Sequence, residues 1–524
     1  MKVGRIAVLI SLVIAAAARA DAPGVFAITN GSVHPVSGPE IRNGVVIVRN
    51  GLIEAVGSNV AVPPDATVID AAGGHVYPGL IDAHTELGFS RRTPSESRQP
   101  QERQPQERQP EPTAATVAAE TISVTTADLD ARRRTGVTTV VAVPSAGIFS
   151  GQSVVLNLSD GEPASRVIRT PAAVHASFAT RPAWTFPDSL MGVIAHLRQT
   201  FLDAQHHAAA RTAYDRNPAQ PRPAVSPELD ALLPVVRREL PIVMVADSEE
   251  MIRRAQAIAR EFSLRLIVSG AREAFGMSAQ ELRGVPVLVS VDWPAAPTDQ
   301  AEREEQPLRT IRRRVLAPTT PGVLAGNGVQ FALVSGTTAA REFLPGIRKA
   351  IANGLTAGDA LRAVTLTPAR VFGVDRQLGS LERGKIANVV ITDQPIFERA
   401  AKVTELLVDG LRVRVQAAEE EARDRSPVNG TWNLTVLAPQ GNISIAVTLR
   451  AETGRVTGTY SGDRGSGEIT GGFLDRRALQ FTISAQLDAE THDWVFRGTI
   501  TDDEIEGTVT TNLGSFEFSG SKEP

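Results

Sequence analysis

A histidine and a glutamate lie two positions apart at the end of an apolar run, in the stretch PGLIDAHTELG from Pro78 to Gly88. The imidazole of His84 and the carboxylate of Glu86 are both ligand types that divalent cations accept. A His-x-His pair at such a place would be a strong metal signal, and here the second histidine is missing. Either Glu86 is a substituted ligand, or it belongs to a site that has been lost.

Three other histidines have side chains that could do chemistry. His175, in PAAVHASFAT, is predicted to point into the interior of its domain, and we expect it to be a structural histidine with satisfied hydrogen bonds. His206 and His207 are adjacent on a helical stretch, so they point to different faces and are expected on a solvated surface. The chain contains no cysteine, which excludes disulfides, thiolate metal sites and cysteine nucleophiles.

The residues around these candidates alternate between strand and helix patterns. From Pro78 to about Gly373, apolar β-rich runs such as GLIDAH, GVTTVVAVP, IVMVAD and VQFALVSG alternate with helical segments such as SEEMIRRAQAIAREFS. This alternation predicts a parallel sheet in an α/β fold, most simply a (β/α)8 TIM-like barrel over 78–373. An open doubly wound sheet is the alternative. Functional side chains of such barrels lie at the C-terminal ends of the strands.

Both flanks of the predicted barrel have strand patterns. Residues 21–77 and 374–415 are expected to combine as a composite β-sandwich, and residues 416–428 have the composition of a charged linker. From 429 to 524 the pattern is all β, with turns about every 8–12 residues, which predicts a separate small barrel or sandwich domain. The low-complexity stretch 98–112, RQPQERQPQERQPEP, is predicted to be an extended loop after the first barrel strand.

The first twenty residues have the pattern of a secretory signal peptide. Lys2 and Arg5 precede an apolar run, and Ala18-Arg19-Ala20 is a small-x-small cleavage site. An uncleaved anchor is the alternative, but the run is short for a bilayer about 30 Å thick. We therefore expect export to the periplasm or outside, without membrane insertion after cleavage. The net charge of -4 gives no reason to expect a nucleic-acid partner.

Three long motifs resemble the amidohydrolase superfamily, especially its imidazolonepropionase-like and dihydroorotase-like group. They are NGLIEAVGSNVAVPPDATVIDAAGGHVYPGLIDAHTELG, RTGVTTVVAVPSAGIFSGQSVVLNL and GLTAGDALRAVTLTPARVFGVDRQLGSLERGKIANVVITD. The resemblance covers Phe26 to about Val415. It implies a hydrolase of C–N bonds in amides, cyclic amides or peptides, in which one or two divalent metals activate water. It implies ligands at the His-x-His of strand one, a carbamylated Lys or Glu on strand four, His on strands five and six, and Asp on strand eight.

At most of these positions the sequence departs from the family pattern. His84 is present, Glu86 replaces the second histidine, and Asp247 stands at the strand-five histidine. Gly270 stands at the strand-six position, and Gly336, or Thr337 after a one-residue slip, stands at the strand-eight position. No alternative alignment supplies a histidine on strands five and six, a carbamylated lysine or an aspartate on strand eight. No His lies between 208 and 491, no Lys between 3 and 348 and no Asp between 300 and 358.

Three functional interpretations follow. The first is an exported amidohydrolase-superfamily protein with a degraded metal site, which serves as a non-catalytic or partner subunit, as a homo- or hetero-oligomer with a related amidohydrolase. The second is a hydrolase with a reduced mononuclear site, in which His84, Glu86 and Asp247 hold one divalent metal (Zn, Mn or Fe). The third is a ligand-binding envelope module in which the C-terminal β domain captures the ligand, although aromatic residues such as Trp432 and Trp494 more often form the core of a small barrel.

Overall fold

The computed structural model describes most of the chain. The predicted signal peptide at 1–20, nearly all of the loop at 98–112 and nearly all of the linker at 416–428 lie outside the described residues. Within those that are described, no helix combines the length and the apolarity needed to cross a bilayer. The described ranges are 24–89, 112–144, 146–182, 185–295, 297, 306–413, 428–438, 441–452, 455–462, 465–475, 478–487, 490–501, 503–511 and 514–522.

A barrel occupies the middle of the first of two compact units, which are divided between Val415 and Gln416. Strands pair in parallel as β6 with β7 and as β11 through β15, and β15 closes onto β6 through a parallel bridge between Thr85 and Gly336. This closure confirms the barrel and excludes the open doubly wound sheet. The barrel strands are β6 Leu80–Thr85, β7 Val137–Ala142, β8 Phe149–Gln152, β9 Val154–Asn157, β11 Val174–Ser177, β12 Ile242–Ala246, β13 Leu266–Gly270, β14 Val287–Ser290 and β15 Phe331–Val334; β10, Val167–Arg169, pairs outside the ring with β9.

One strand position of the ring is antiparallel to the others. β9 pairs antiparallel with β7, and the adjoining β8 pairs antiparallel with β11, so β8 and β9 together fill the third position of the ring. The sequence pattern predicted a parallel strand at every position. The difference has a simple cause: β7 ends at Ala142 and β8 begins at Phe149. A connection this short allows a reversal, whereas a parallel crossover needs a dozen or more residues.

Helices cover the outside of the barrel. In α5 the hydroxyl of Ser248 accepts the backbone N–H of Met251, and apolar residues such as Ile252 and Ala255 recur at helical spacing on the buried face. The helices are α1 Ala118–Thr121, α2 Thr126–Arg133, α3 Leu190–Arg216, α4 Pro227–Val236, α5 Glu249–Glu261, α6 Leu308–Leu316, α7 Thr320–Gly326, α8 Phe343–Ala352, α9 Ala357–Ala363 and α10 Leu366–Val371.

The histidines of α3 differ from the expectation of a solvated pair. His206 is exposed, but His207 is buried, and its Nε2 lies 2.9 Å from Oδ1 of Asp230 on α4. A hydrogen bond from α4 satisfies this imidazole at the helix interface, so its role is structural.

Strands from both flanks of the barrel share one continuous eight-stranded sheet. β5 pairs antiparallel with β16, which joins the N-terminal strands to the C-terminal ones. β1 pairs with β2, β4 and β5, and strands from both flanks bury side chains in one core, so the flanks combine into one composite β unit as the sequence predicted. The strands are β1 Phe26–Val33, β2 Ile41–Arg49, β3 Leu52–Gly57, β4 Thr67–Asp70, β5 His75–Pro78, β16 Val389–Thr392, β17 Val403–Val408 and β18 Leu411–Val413.

The second unit is a closed β-barrel with its own core, which decides between the barrel and sandwich alternatives. Eight strands form the ring, closed by the pairing of β19 with β27, and the short β22 pairs with β21. Trp432 and Phe496 are buried in its interior. Gly507 is required where two strands approach, since a Cβ there would lie 2.1 Å from the backbone oxygen of Arg497. The strands are β19 Gly430–Ala438, β20 Gly441–Glu452, β21 Arg455–Gly462, β22 Gly465–Glu468, β23 Thr470–Asp475, β24 Ala478–Leu487, β25 Glu490–Thr501, β26 Glu504–Thr511 and β27 Gly514–Lys522.

Candidate functional site

Three side chains from separate barrel strands meet inside the barrel. His84 is on β6, His175 on β11 and Ser269 on β13, and none of these strands is a neighbour of another in the ring. Nδ1 of His84 lies 2.6 Å from Oγ of Ser269, and the rings of His84 and His175 meet edge to face with centroids 5.2 Å apart. Contacts between strands that do not pair must cross the interior, so this cluster lies within the barrel.

Burial makes both imidazoles poor bases. It lowers the pKa of His84 from 6.5 to about 4, although the charge of Asp82 acts in the opposite direction. Burial also lowers the pKa of His175, and the neighbouring His84 adds to that effect. Both rings are therefore neutral near pH 7.

His175 has no hydrogen-bond partner on either ring nitrogen among the residues that the structure describes. Its side chain is only 1% exposed. The expected position inside the domain is found, but the expected satisfied hydrogen bonds are not. A buried imidazole without a hydrogen-bond partner costs free energy, so His175 is a locally destabilising group.

Asp247 is held by two arginines. Arg272 donates from Nε to both carboxylate oxygens at 2.9 Å and also from Nη2, and Arg313 of α6 donates to Oδ2. Arg272 also donates to the backbone oxygen of Asp292 at 2.6 Å. Burial alone would raise the pKa of Asp247, but the hydrogen bonds and charges of the two arginines outweigh it, so the pKa lies below its usual value. The carboxylate is ionised and engaged by guanidinium groups.

Glu86 lines a different space, an open cleft of about 620 Å³ beside the ends of β6 and β15. Arg132 also lines this cleft, and behind it the guanidinium forms a buried ion pair with Asp82 at 2.7 Å. The same arginine donates to Oγ1 of Thr85, and the backbone N–H of Ser335 donates to Asp82. This network joins the first and last barrel strands, and its role is structural.

Comparisons with known proteins agree with the motifs. The model of the Amidohydrolase family matches residues 308–421. Imidazolonepropionase of Symbiobacterium thermophilum is 27% identical over 424 residues, covering 71% of this chain and 92% of that protein. Imidazolonepropionase of Pseudomonas aeruginosa is 26% identical over 403 residues, covering 73% of this chain and 94% of that protein. The crystal structure of an amidohydrolase from Thermotoga maritima has a TM-score of 0.64 at 22% identity, covering 75% of this chain and all of that one.

Together these comparisons support the amidohydrolase superfamily for this chain. The structure has a barrel followed by a C-terminal β domain. The superfamily that the comparisons support is one of hydrolases. Members of this superfamily typically bind a divalent metal, so the residues of the barrel mouth must be tested against that requirement.

The donor set does not fit an amidohydrolase metal centre. No group of three His, Asp or Glu side chains placed to hold a cation occurs in the described parts of the chain, so His84, Glu86 and Asp247 are not brought together as ligands. A cation beside Asp247 would also face the positive charges of two guanidinium groups.

The two glycines predicted to stand at ligand positions of the family have no side-chain donor atom. Gly270 has φ of +95°, and a Cβ there would lie 3.3 Å from Oδ1 of Asp247. Gly336 has φ of +59°, and its Cβ would lie 3.1 Å from Oγ of Ser290. Both backbones adopt the left-handed region that favours glycine, so a ligand side chain would be strained here.

Sequence reasoning missed three residues of this site. Ser269 directly precedes Gly270, so its position on the strand end was a usable signal. Arg272 is two residues further on, but Arg313 is 66 residues from Asp247 in sequence, and no local pattern connects the two. Only the fold brings α6 to the barrel mouth.

Proposed function

We propose that this chain is a non-hydrolytic member of the amidohydrolase superfamily, in which the barrel acts as a subunit or scaffold for a related amidohydrolase. The observation that carries the proposal is the engagement of Asp247 by Arg272 and Arg313. Two guanidinium groups occupy the surroundings of a carboxylate that stands at a family ligand position. Fixed positive charge repels a divalent cation there.

Support for a partner comes from α6. None of its residues is buried, and Leu308, Ile311 and Val315 are 79%, 39% and 62% exposed. Their spacing places them on one side of the helix. Arg309 and Arg313 point the other way, to acidic groups of the barrel. A helix that turns its apolar side to solvent supports an interaction with another chain, and we infer a related amidohydrolase as that chain.

Export belongs to the same proposal. The N-terminal pattern of positive residues, apolar run and small-x-small site supports a mature protein that starts near Asp21 and works in the periplasm or outside. Mass measurement of the chain recovered from the periplasmic fraction of an expressing bacterium tests this. An intact N-terminus on a protein kept in the cytoplasm would contradict it.

The hydrolytic test uses the purified mature chain with a panel of amides, cyclic amides and dipeptides, with and without added Zn, Mn or Fe. We expect no turnover above that of the His84→Ala variant under any condition. Metal-dependent turnover that disappears in His84→Ala but persists in His206→Ala would overturn the proposal. His206 is a fitting control because it is an exposed histidine of α3.

The partner test uses light scattering and affinity capture from the native host. We expect capture of a related amidohydrolase by the mature chain and loss of that capture in Leu308→Glu/Val315→Glu. A matched variant, Leu202→Glu, changes another exposed leucine on α3 and should retain the partner. A protein that captures no amidohydrolase, or a Leu308→Glu/Val315→Glu variant that captures it as well as the wild type, would contradict the partner role.

A reduced metal site is the second candidate, because His84 and His175 are neutral imidazoles 5.2 Å apart in ring centroids. Neutral imidazole is the form that binds metals. This alternative requires a ligand set different from His84, Glu86 and Asp247. A metal-dependent activity that is lost in His175→Ala would distinguish it from the non-hydrolytic proposal.

A ligand-binding module is the third candidate. The feature that supports it is the buried Nε1 of Trp494, which has no acceptor among the described residues.

A further inference from the structure

A basic cleft lies at the opposite end of the barrel from the histidines. It has a volume of about 680 Å³ and is lined by residues where β12, β13 and β14 begin, such as Pro241, Leu266 and Pro286. Because the strands run in parallel, this is the N-terminal face, away from the mouth where barrel enzymes keep their active sites. Four arginines line the cleft: Arg238, Arg260, Arg265 and Arg283.

Positive charge predominates among the described residues that line this cleft. Across the described residues, no ion pair links Arg238, Arg260 or Arg283 to a carboxylate. The single acidic residue that lines the cleft, Glu281, is already bound by Arg253 at 3.1 Å and by the backbone N–H of Ser278 at 2.9 Å. The cleft therefore concentrates uncompensated positive charge.

One of the four is held in position by neutral groups. Nη1 of Arg265 donates to the backbone oxygens of Arg238 at 3.4 Å and Glu239 at 3.1 Å. Backbone carbonyls orient the guanidinium without cancelling its charge. An oriented guanidinium can bind a phosphate or sulfate group through two parallel hydrogen bonds.

A second cleft of about 390 Å³ adjoins the first. Both are lined by Gln280, Arg283 and Pro286, so Arg283 stands between them. The second cleft is also lined by Asn327 and Gln330, residues with amide side chains, and its described lining contains no acidic residue. Amides donate and accept hydrogen bonds, which suits the hydroxyl groups of a sugar.

We infer that the two clefts together bind a phosphorylated sugar, either free or as the end of a polymer. The anionic group lies against Arg265 and Arg283, and the sugar hydroxyls contact the amides of Asn327 and Gln330. Clustered like charges repel, so an anion that bridges them binds with a favourable electrostatic contribution that weakens with salt. This site is independent of the barrel mouth and of the proposed partner role.

The test is calorimetric titration of the full mature chain with glucose 6-phosphate, inorganic phosphate and glucose. We expect one saturable site for glucose 6-phosphate, binding about tenfold more weakly for inorganic phosphate, and none for glucose. Arg265→Gln/Arg283→Gln should weaken glucose 6-phosphate binding about tenfold or more, and Asn327→Ala should weaken the sugar phosphate but not phosphate. All four arginines are exposed, so these variants should fold, and their thermal unfolding checks this.

The control variant Arg341→Gln/Arg399→Gln removes the same charge from exposed arginines that do not line either cleft. Unchanged binding in the control and weakened binding in the cleft variant support the site. Equal weakening in both variants would mean general charge attraction and overturn it. Absence of saturable binding overturns it as well, and phosphate binding as tight as that of glucose 6-phosphate overturns the sugar assignment.

Discussion

Oγ of Ser269 lies 2.6 Å from Nδ1 of His84, and this hydrogen bond crosses the barrel between two strands that do not pair. It occupies one ring nitrogen of the histidine that the sequence predicts at the first ligand position of the family. Together with the arginines around Asp247, it supports the proposal that protein groups occupy the region where the family pattern implies metal ligands.

Removing the hydroxyl of Ser269 should lower the stability of the folded chain. We expect Ser269→Ala to lower the free energy of unfolding by about 1–3 kcal/mol, because a buried Nδ1 loses its partner. Denaturant unfolding measures the change. In a His84→Phe background the same substitution should cost much less, since the partner is already gone. Equal costs in both backgrounds would show that the hydrogen bond contributes nothing.

The two buried imidazoles predict a pH dependence of stability. Because the pKa of His84 falls from 6.5 unfolded to about 4 folded, the unfolded chain binds more protons between those values. Stability contributed by the neutral ring is therefore complete above about pH 6.5 and is lost as the pH falls toward 4. His175 acts in the same direction, since its pKa is also lowered.

Protonation of carboxylates also lowers the stability of the folded chain in acid, so the effect of His84 is isolated by comparing the wild type with variants. We expect unfolding free energy to fall more steeply between pH 6.5 and pH 4 in the wild type than in His84→Gln, by about 3 kcal/mol at most. His206→Gln, an exposed histidine, should retain the wild-type slope. Parallel curves for wild type and His84→Gln would refute the neutral buried ring.

The buried ion pair between Asp82 and Arg132 should be the most sensitive polar contact of the barrel. Its side chains are 0% and 8% exposed. Arg132→Met leaves the carboxylate buried beside Ser335 without its charge partner, and we expect a loss of about 3–5 kcal/mol in unfolding free energy. Arg341→Met, at an exposed arginine, serves as the control. A loss below about 1 kcal/mol would show that other groups compensate the charge.

Asp247 should behave as a structural anion. We expect Asp247→Asn to lower the unfolding free energy by about 1–3 kcal/mol, because Arg272 and Arg313 lose their common charge partner. Raising the salt concentration should reduce this difference, since the pair is partly exposed. Asp393→Asn, at an exposed aspartate, should have little effect. If Asp247→Asn stabilises the chain, the carboxylate is not the anchor of this cluster.

The sequence predicted the architecture better than the site. Alternating strand and helix patterns indicated the barrel, and regularly spaced turns indicated the C-terminal β domain, because burial imposes a period on each element. The antiparallel β8 and β9 were missed, since a strand pattern does not record direction and the short connection after Ala142 permits a reversal without requiring one. The residues of the barrel mouth were harder still: His84 was identified, but its partner Ser269 is 185 residues away.

We propose that the chain's own groups, rather than a metal, fill the region of the family's metal centre. The most direct test is elemental analysis of the mature chain, purified without chelators and dialysed mildly, beside His84→Ala and the control His206→Ala. We predict Zn, Mn and Fe each well below one equivalent in all three proteins. About one equivalent of any of these metals in the wild type and in His206→Ala, lost in His84→Ala, would show instead that a metal is bound at this region.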